Sequence, residues 1–153
     1  MVSGLADLIV GAMMNGTGDT GRSYVVWGKA DGTAVNLDDV TLGTGGFAIT
    51  GELANDQSGY SVSGAGDVNG DGLSDLSVGA PFNDAGGADA GRSYVVFGKT
   101  DGTAVNLADV AAGGIAALTI SFNGTTGVDS WVGTAAAEIA LGGGDNDSLT
   151  GGG

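Results

Sequence analysis

The chain contains no cysteine and no histidine, a single proline, and only four basic residues among its 153. Without cysteine it forms no disulfide and no thiolate metal site, and without both residue types the common nucleophile and general-base pairs of hydrolases are missing. No run of 18 apolar residues is present, so we expect no membrane-spanning helix. Residues 1–20 carry no basic segment ahead of an apolar one, so we expect no cleavable signal peptide there.

Acidic residues dominate the charge, because 18 Asp and Glu against four Lys and Arg give a net charge of −14. Such a surface repels nucleic acid and anionic membranes, so we expect neither a nucleic-acid partner nor membrane insertion. Small cations are the natural partners that remain.

The segment 67–75, Asp-Val-Asn-Gly-Asp-Gly-Leu-Ser-Asp, places oxygen-bearing side chains at alternate positions of a glycine-rich loop. Asp67, Asn69, Asp71 and Asp75 occupy its positions 1, 3, 5 and 9. Calcium takes about six to eight oxygen ligands, and glycines let the backbone curl around the ion. Carboxylates roughly 4 Å apart repel each other by about 1 kcal/mol in water, which a bound cation would reverse. The loop therefore predicts a Ca²⁺ site with these four side chains.

The loop has two other interpretations. A metal-free β-hairpin with an Asn69-Gly70 turn remains open, although it gives no reason for the three acids. An EF-hand or dockerin loop requires an acid at position 12, where this chain has Val78. The flanks 60–63 and 75–79 alternate with a period of two, which indicates strands rather than helices.

The chain also repeats itself with a period close to 70 residues. Residues 72–80 copy residues 4–12 at an offset of 68, while residues 91–99 and 101–107 copy residues 21–29 and 31–37 at an offset of 70. A unit of this length, built from short strands and glycine turns, is typical of one four-stranded propeller blade.

These residues resemble the FG-GAP repeat, which occurs in integrin α-subunit β-propellers and in many large bacterial surface and secreted proteins. The run 59–81 carries the resemblance: Gly-Ala-Pro is intact at 79–81, and Ser-Gly at 58–59 replaces Phe-Gly. The resemblance extends over roughly residues 1–122. It implies a calcium loop in the hairpin between the first two strands of a blade, with the main-chain carbonyl of Leu73 as a further ligand.

The other candidate metal segments are incomplete. In the first copy only Asp7 keeps a ligand type, so we expect no site there and interpret Asp7 as a strand-entry residue. Residues 142–153 resemble a single RTX nonapeptide, with Asp147 at the aspartate position and Asp145 in place of a glycine. One nonapeptide supplies half of a site, and a flexible Gly/Asp tail is the alternative; the RTX resemblance implies type I export of a longer parent protein.

The predicted fold class is all-β, with antiparallel four-stranded blades of an incomplete β-propeller of about two blades. We assign residues 1–52 to a truncated blade, 53–122 to a complete blade with the calcium loop, 123–141 to a capping strand or linker, and 142–153 to a flexible Gly/Asp-rich tail. Strands are predicted near 5–11, 22–28, 46–51, 60–66, 75–80, 92–98 and 116–122, with single helical turns at 36–40 and 106–110.

The four basic residues occupy equivalent points of the two copies, as Arg22, Lys29, Arg92 and Lys99. We expect them to serve the architecture, each arginine pairing with a carboxylate or with loop carbonyls; an acidic ligand for the repeated pair is the alternative.

The function favoured by these patterns is a calcium-binding FG-GAP repeat module of a large extracellular or cell-surface protein, used for adhesion or structural interaction with a protein or glycan that the sequence does not identify. A non-catalytic propeller attached to a secreted hydrolase is the alternative, and an enzyme is disfavoured. Because closed propellers have about four to eight blades, we expect a fragment that self-associates through its open blade faces or remains only marginally folded even with calcium. The faces expected to be uncovered carry Tyr24, Val26, Tyr94 and Val96.

Overall fold

The computed structural model describes residues 4–113, 117–121, 130–132 and 148–150. These residues form ten strands and two short helices: β1 (Leu8–Ala12), β2 (Arg22–Val26), α1 (Leu37–Thr41), β3 (Gly46–Thr50), β4 (Ser61–Gly66), β5 (Asp75–Ala80), β6 (Arg92–Val96), β7 (Val105–Asn106), α2 (Leu107–Ala111), β8 (Ala117–Ser121), β9 (Ser130–Val132) and β10 (Ser148–Thr150).

The first sheet has the strand order β1-β2-β3-β7. The strands β1, β2 and β3 pair antiparallel, with Tyr24 opposite both Val10 and Ala48. The short strand β7 belongs to the second repeat, yet it pairs in parallel with β3, where Val105 lies opposite Ile49. The second repeat therefore completes the outer edge of the first sheet, which the sequence did not predict.

The second sheet has the order β4-β5-β6-β8 and is antiparallel throughout, with a register shift between Gly64 and Gly66. By the sequence repeat, β1, β2 and β3 correspond to β5, β6 and β8. Within the described residues the first sheet has no counterpart of β4. The predicted fold class is confirmed, because two mainly antiparallel sheets built on one repeat are the arrangement of an incomplete β-propeller.

Each helix begins at an asparagine that follows a Val in the repeated segment. Asn36 accepts a hydrogen bond on its side-chain oxygen from the Asp38 N–H at 3.0 Å, and Asn106 accepts one from the Ala108 N–H at the same distance. An asparagine N-cap satisfies one of the free N–H groups at the start of a helix. The two helical turns predicted from the sequence are confirmed.

The main core lies between the two sheets. Val25, Phe47 and Ile49 of the first sheet pack with Tyr94 and Val96 of the second. Fully burying one such side chain contributes about 1.5–3 kcal/mol, so this shared core holds the repeats together.

The expectation of uncovered faces at Tyr94 and Val96 was wrong, because both are fully buried against the first sheet. It was also wrong for Tyr24, which is buried in a smaller cluster with Val40 of α1 and Ala48 of β3. Sequence alone did not show that α1 folds back over its own sheet.

Neither helix of the described residues has the length and apolar character needed to cross a membrane. The strands β9 and β10 form a separate parallel pair with Ser130 opposite Ser148. Apart from these two strands, the predicted linker 123–141 and the predicted flexible tail lie outside the described residues.

Candidate functional site

The predicted metal loop joins β4 to β5, as expected for the first hairpin of a blade. Asp67, Asn69 and Asp71 are exposed in the loop, and Leu73 is half-buried. Asp75 differs from them, because it is the first residue of β5 and is fully buried.

Asp67 organises the loop by accepting three backbone hydrogen bonds. Its Oδ1 accepts from the N–H groups of Gly70 at 2.8 Å and Asp71 at 3.0 Å, and its Oδ2 accepts from Gly72 at 2.9 Å. Both glycines have a positive φ, +77° and +85°, which residues with a Cβ rarely adopt. The chain consequently curls around the Asp67 carboxylate.

Asn69 and Asp71 are tied into the same turn. The Asn69 side chain accepts from the Asp71 N–H at 3.0 Å and donates from Nδ2 to Asp71 Oδ2 at 2.8 Å. Asp71 Oδ1 in turn accepts from the Leu73 N–H at 2.8 Å. The structure thus brings three of the predicted ligands together at one end of the hairpin.

Asp75 is held at the base of the loop by two backbone groups. Its Oδ2 accepts from the Val68 N–H and its Oδ1 from the Gly98 N–H, both at 2.7 Å. In the first repeat Asp7 accepts from the Gly28 N–H at 2.9 Å, the equivalent of the Gly98 contact. The aspartate at this position therefore accepts a backbone N–H at the strand end in both repeats, which is a structural role.

The chemistry of the donor set fits calcium, because all five predicted ligands offer hard oxygen atoms. A carboxylate has about four acceptor sites, so the N–H contacts of Asp67 and Asp71 do not exhaust their capacity. In the described part of the chain, however, no three acidic side chains are arranged as a metal-holding group. The loop is organised here by hydrogen bonds between carboxylates and N–H groups.

We predict that Asp75→Asn lowers the free energy of unfolding by about 2 kcal/mol, measured by urea denaturation in EDTA. An amide has one oxygen, so its NH₂ group would face one of the two N–H donors in a buried site. Asp7→Asn is the matched control and should cost less than about 1 kcal/mol, because Asp7 is half-buried and its oxygen can still accept from Gly28. Equal effects of both substitutions would contradict the role assigned to Asp75.

A second polar cluster, which sequence reasoning missed, joins the two repeats. Glu52 follows β3, and its Oε2 accepts from Arg92 Nη1 and from the Tyr94 hydroxyl, both at 2.6 Å, and from Asn83 Nδ2 at 3.3 Å. The expected carboxylate partner of Arg92 is thereby confirmed. Only 12% and 15% of the Arg92 and Glu52 side chains are exposed. Removing either partner of a charged pair this far from solvent would leave the other charge buried without a counter-charge, which lowers the stability of the folded state.

The titration behaviour of the cluster follows from this geometry. Burial is the largest influence and disfavours the charged form of Arg92, but the hydrogen bond and charge attraction of Glu52, with smaller contributions from Tyr94, together outweigh burial and raise the pKa of the guanidinium. Burial, and then hydrogen bonding to the Glu52 carboxylate, raise the pKa of Tyr94 well above its ordinary value. Both groups therefore keep their protons at neutral pH.

Asp56 is the other buried acid of this region. Its Oδ2 accepts from Asn83 Nδ2 at 2.6 Å and from the Leu53 N–H at 3.1 Å. Burial, with smaller contributions from the negative charges of Glu52 and Asp84, raises the pKa of Asp56 above its ordinary value despite these hydrogen bonds. Removing its charge should therefore favour the folded state.

We predict that the stability of the wild type relative to Asp56→Asn falls as the pH rises. A carboxyl whose pKa is raised in the folded state stabilises that state at pH values below its unfolded-state pKa of about 3.9. This stabilisation is lost as the pH rises through the folded-state pKa. The measurement is Tm of both proteins from pH 3.5 to 7. A difference that stays flat or grows with pH would contradict the assignment.

The two lysines lie on turns, where each pairs with an exposed aspartate. Lys29 Nζ lies 3.1 Å from Asp31 and Lys99 Nζ lies 2.9 Å from Asp101. Hydrogen bonds from Thr33 and then the lysine lower the pKa of Asp31 to about 2. Exposed pairs of this kind contribute little to stability.

A cavity of about 370 Å³ opens between the sheets beside the metal loop, with walls that include Ile9, Val25, Phe47 and Leu76 and polar groups from Asp75 and Lys99. Lys99 Nζ lies 5.1 Å from the centroid of the Phe47 ring. Both polar groups have partners in the fold, Asp75 in the Val68 and Gly98 N–H groups and Lys99 in Asp101.

Comparison with known proteins identifies one stretch of the chain. Residues 58–96 match the sequence model of the FG-GAP repeat, and this stretch contains the whole loop together with β4, β5 and β6. FG-GAP repeats are generally non-catalytic structural modules of propeller type, and they typically occur in extracellular or surface proteins. A search of curated proteins found no match.

Proposed function

We propose that this chain is a calcium-binding FG-GAP repeat module of a large extracellular or cell-surface protein, used for adhesion or structural interaction. The observation that carries the proposal is the loop itself. Asp67, Asn69 and Asp71 converge in one turn, within a stretch that matches the FG-GAP repeat.

The ligands in this proposal are the side chains of Asp67, Asn69, Asp71 and Asp75 and the main-chain carbonyl of Leu73. A bound calcium ion would neutralise the mutual repulsion of the carboxylates, which is about 1 kcal/mol per pair in water at roughly 4 Å and larger near protein. The N–H contacts of Asp67 hold the loop curled in advance. The loop connects β4 to the core strand β5, so fixing it would stabilise the hairpin of the second repeat.

The proposed role is non-catalytic, and the partner is a protein or a glycan. The sequence holds no histidine or cysteine, and the acids with buried environments, Glu52, Asp56 and Asp75, are engaged in structural hydrogen bonds. We expect background rates on ester, phosphate-ester, glycoside and peptide substrates.

Calorimetric titration with calcium tests the proposal. The wild type should bind with a dissociation constant of about 10⁻⁴–10⁻³ M, the range of extracellular calcium modules. Asp71→Ala should abolish the heat, because it removes a carboxylate from the centre of the loop.

The matched control is Asp147→Ala, which removes the same charge from the RTX-like tail and should titrate as the wild type does. If Asp71→Ala binds calcium like the wild type, or if the wild type shows no heat, the loop is not a calcium site. If Asp147→Ala alone abolishes the heat, the ion belongs to the tail.

A further inference from the structure

Asn69 and Gly70 form an exposed Asn-Gly pair in the metal loop. In such a pair the glycine nitrogen can attack the side-chain amide carbon of the asparagine, because glycine has no side chain to obstruct the approach. A succinimide ring then forms and ammonia leaves. The reaction is favoured by a base that takes the proton of the nitrogen and by a donor that stabilises the charge developing on the amide oxygen.

The loop supplies both groups. The Gly70 N–H donates to Asp67 Oδ1 at 2.8 Å, a distance at which a carboxylate can take the proton. The Asp71 N–H donates to Asn69 Oδ1 at 3.0 Å, so it contacts the oxygen on which negative charge develops. The same contact folds the Asn69 side chain back along the main chain that follows it. The attacking nitrogen, the proton acceptor and the oxyanion donor are thus gathered within residues 67–71.

The chain contains a natural comparison, the pair Asn15-Gly16, which is exposed to the same degree. Within the described residues no carboxylate accepts from the Gly16 N–H, and no N–H donates to the Asn15 side chain. A Cβ on Gly16 would lie 3.3 Å from Thr20 Oγ1, whereas one on Gly70 would meet no atom within 4 Å. The loop pair therefore has both the polar partners and the open space that ring closure needs. A third pair, at 123–124, lies outside the described residues.

We propose that Asn69 is a site of spontaneous deamidation. The Gly70 nitrogen forms a bond to Cγ of Asn69 as its proton passes to Asp67. The bond between Cγ and Nδ2 breaks, and Nδ2 leaves as ammonia with that proton. Water then opens the succinimide at either carbonyl carbon, which leaves aspartate or isoaspartate at position 69. No oxidant or cofactor takes part, and water is the only co-reactant.

Either product alters the loop as a cation site, a consequence that rests on the proposed function. Aspartate places a further carboxylate between Asp67 and Asp71, whereas isoaspartate adds a carbon atom to the main chain between them. The longer main chain displaces Asp71 relative to Asp67. Because calcium needs its oxygen ligands at fixed distances, we expect the isoaspartate form to bind calcium more weakly.

Bound calcium is expected to protect Asn69, which also rests on the proposed function. Asp67 and Asn69 would turn their oxygen atoms to the ion, and a carboxylate beside a divalent cation is a poorer proton acceptor. Only the calcium-free fraction of the loops then reacts, so the rate falls in proportion to occupancy.

The test follows both pairs in the full chain, in EDTA at neutral pH, by mass spectrometry of proteolytic peptides. Asn69 should convert about tenfold or more faster than Asn15, since general-base catalysis contributes about 10²–10⁴-fold in enzymes. In urea, Asn69 should slow and the two rates should become nearly equal, because both pairs then lack fixed partners. A ratio of rates that is the same in the folded and the unfolded chain would overturn the inference.

The variant Asp67→Asn isolates the proton acceptor. It keeps an oxygen that can accept from the Gly70 N–H but removes the base, so conversion of Asn69 should slow by about tenfold while Asn15 stays unchanged. A variant loop that unfolds should react at the slower rate measured in urea, so slower conversion is expected in either case. Unchanged conversion of Asn69 would contradict the inference.

Adding calcium separates this inference from the calcium proposal. At about 10 mM calcium, roughly nine-tenths of the loops are occupied if the dissociation constant is about 10⁻³ M, so Asn69 should convert about tenfold more slowly and Asn15 at its former rate. If calorimetry shows binding and Asn69 still converts at its EDTA rate, the protection is wrong. If the chain binds no calcium, the calcium proposal fails, and the comparison in EDTA still decides whether Asn69 is the reactive site.

Discussion

Replacing Glu52 by alanine is expected to lower the free energy of unfolding by about 3 kcal/mol, because it leaves a buried guanidinium without its counter-charge. The same change removes the acceptor of the Tyr94 hydroxyl, and one partner of Asn83, within the contact between repeats. Urea denaturation followed by circular dichroism measures the loss.

Two further variants make the Glu52 experiment specific. Asp31→Ala removes an exposed carboxylate that also pairs with a basic residue, and it should change stability by less than about 1 kcal/mol. The double variant Glu52→Leu with Arg92→Met should recover much of the loss, since an apolar pair can replace a buried ion pair. A Glu52→Ala protein as stable as the wild type would show that the cluster does not hold the repeats together.

Gly21→Ala is expected to be equally or more damaging, costing about 4 kcal/mol or more. Gly21 has a φ of +83° and forms an isolated parallel bridge with Ser58. A Cβ at this position would lie 2.1 Å from the Ser58 carbonyl oxygen and 2.4 Å from its nitrogen. Both atoms are backbone at the junction of the repeats, so no side-chain rotation relieves the clash.

The repeat supplies a matched control for this substitution. Gly91 is the copy of Gly21 and has a similar φ of +77°, but a Cβ there would lie 3.1 Å from the Pro81 carbonyl oxygen. Gly91→Ala should therefore cost mainly the left-handed backbone strain, about 1–2 kcal/mol. Thermal denaturation of both variants compares the costs, and equal values would mean that the Gly21–Ser58 contact is not tightly packed.

Much of the fold could be predicted from local patterns. Alternating apolar residues and the repeat at 68–70 residues placed the seven main strands, and the Asn-Leu segments at 36–37 and 106–107 marked the two helices. These features depend on neighbouring residues, which is why one sequence reveals them.

Contacts between distant residues could not be predicted in the same way. The strand β7 has only two residues and pairs with a sheet of the other repeat, so no periodic pattern of apolar residues predicts it. Glu52 lies 40 residues from Arg92 in a connector that has no copy elsewhere in the chain. The exposure of Leu37 against Leu107 likewise follows from packing and not from their identical sequence context.

The spacing of acidic residues predicted the candidate metal loop, but it did not predict the structural role of Asp75. The alternation of Asp67, Asn69 and Asp71 indicates that their side chains converge on one point, and the structure brings these side chains together in one turn. For Asp75, the signal was available in Asp7, the copy of Asp75 in the first repeat.

The most direct test of the central claim is a calcium titration of the isotope-labelled chain followed by nuclear magnetic resonance. The proposal predicts that amide shifts of residues 67–75 move together and saturate in the millimolar range. The equivalent residues of the first repeat, around Gly4 to Asp7, should remain unchanged and serve as an internal control. Shifts that do not move at 10 mM calcium, a concentration about ten times the weakest expected dissociation constant, or that move only outside this loop, would contradict the claim.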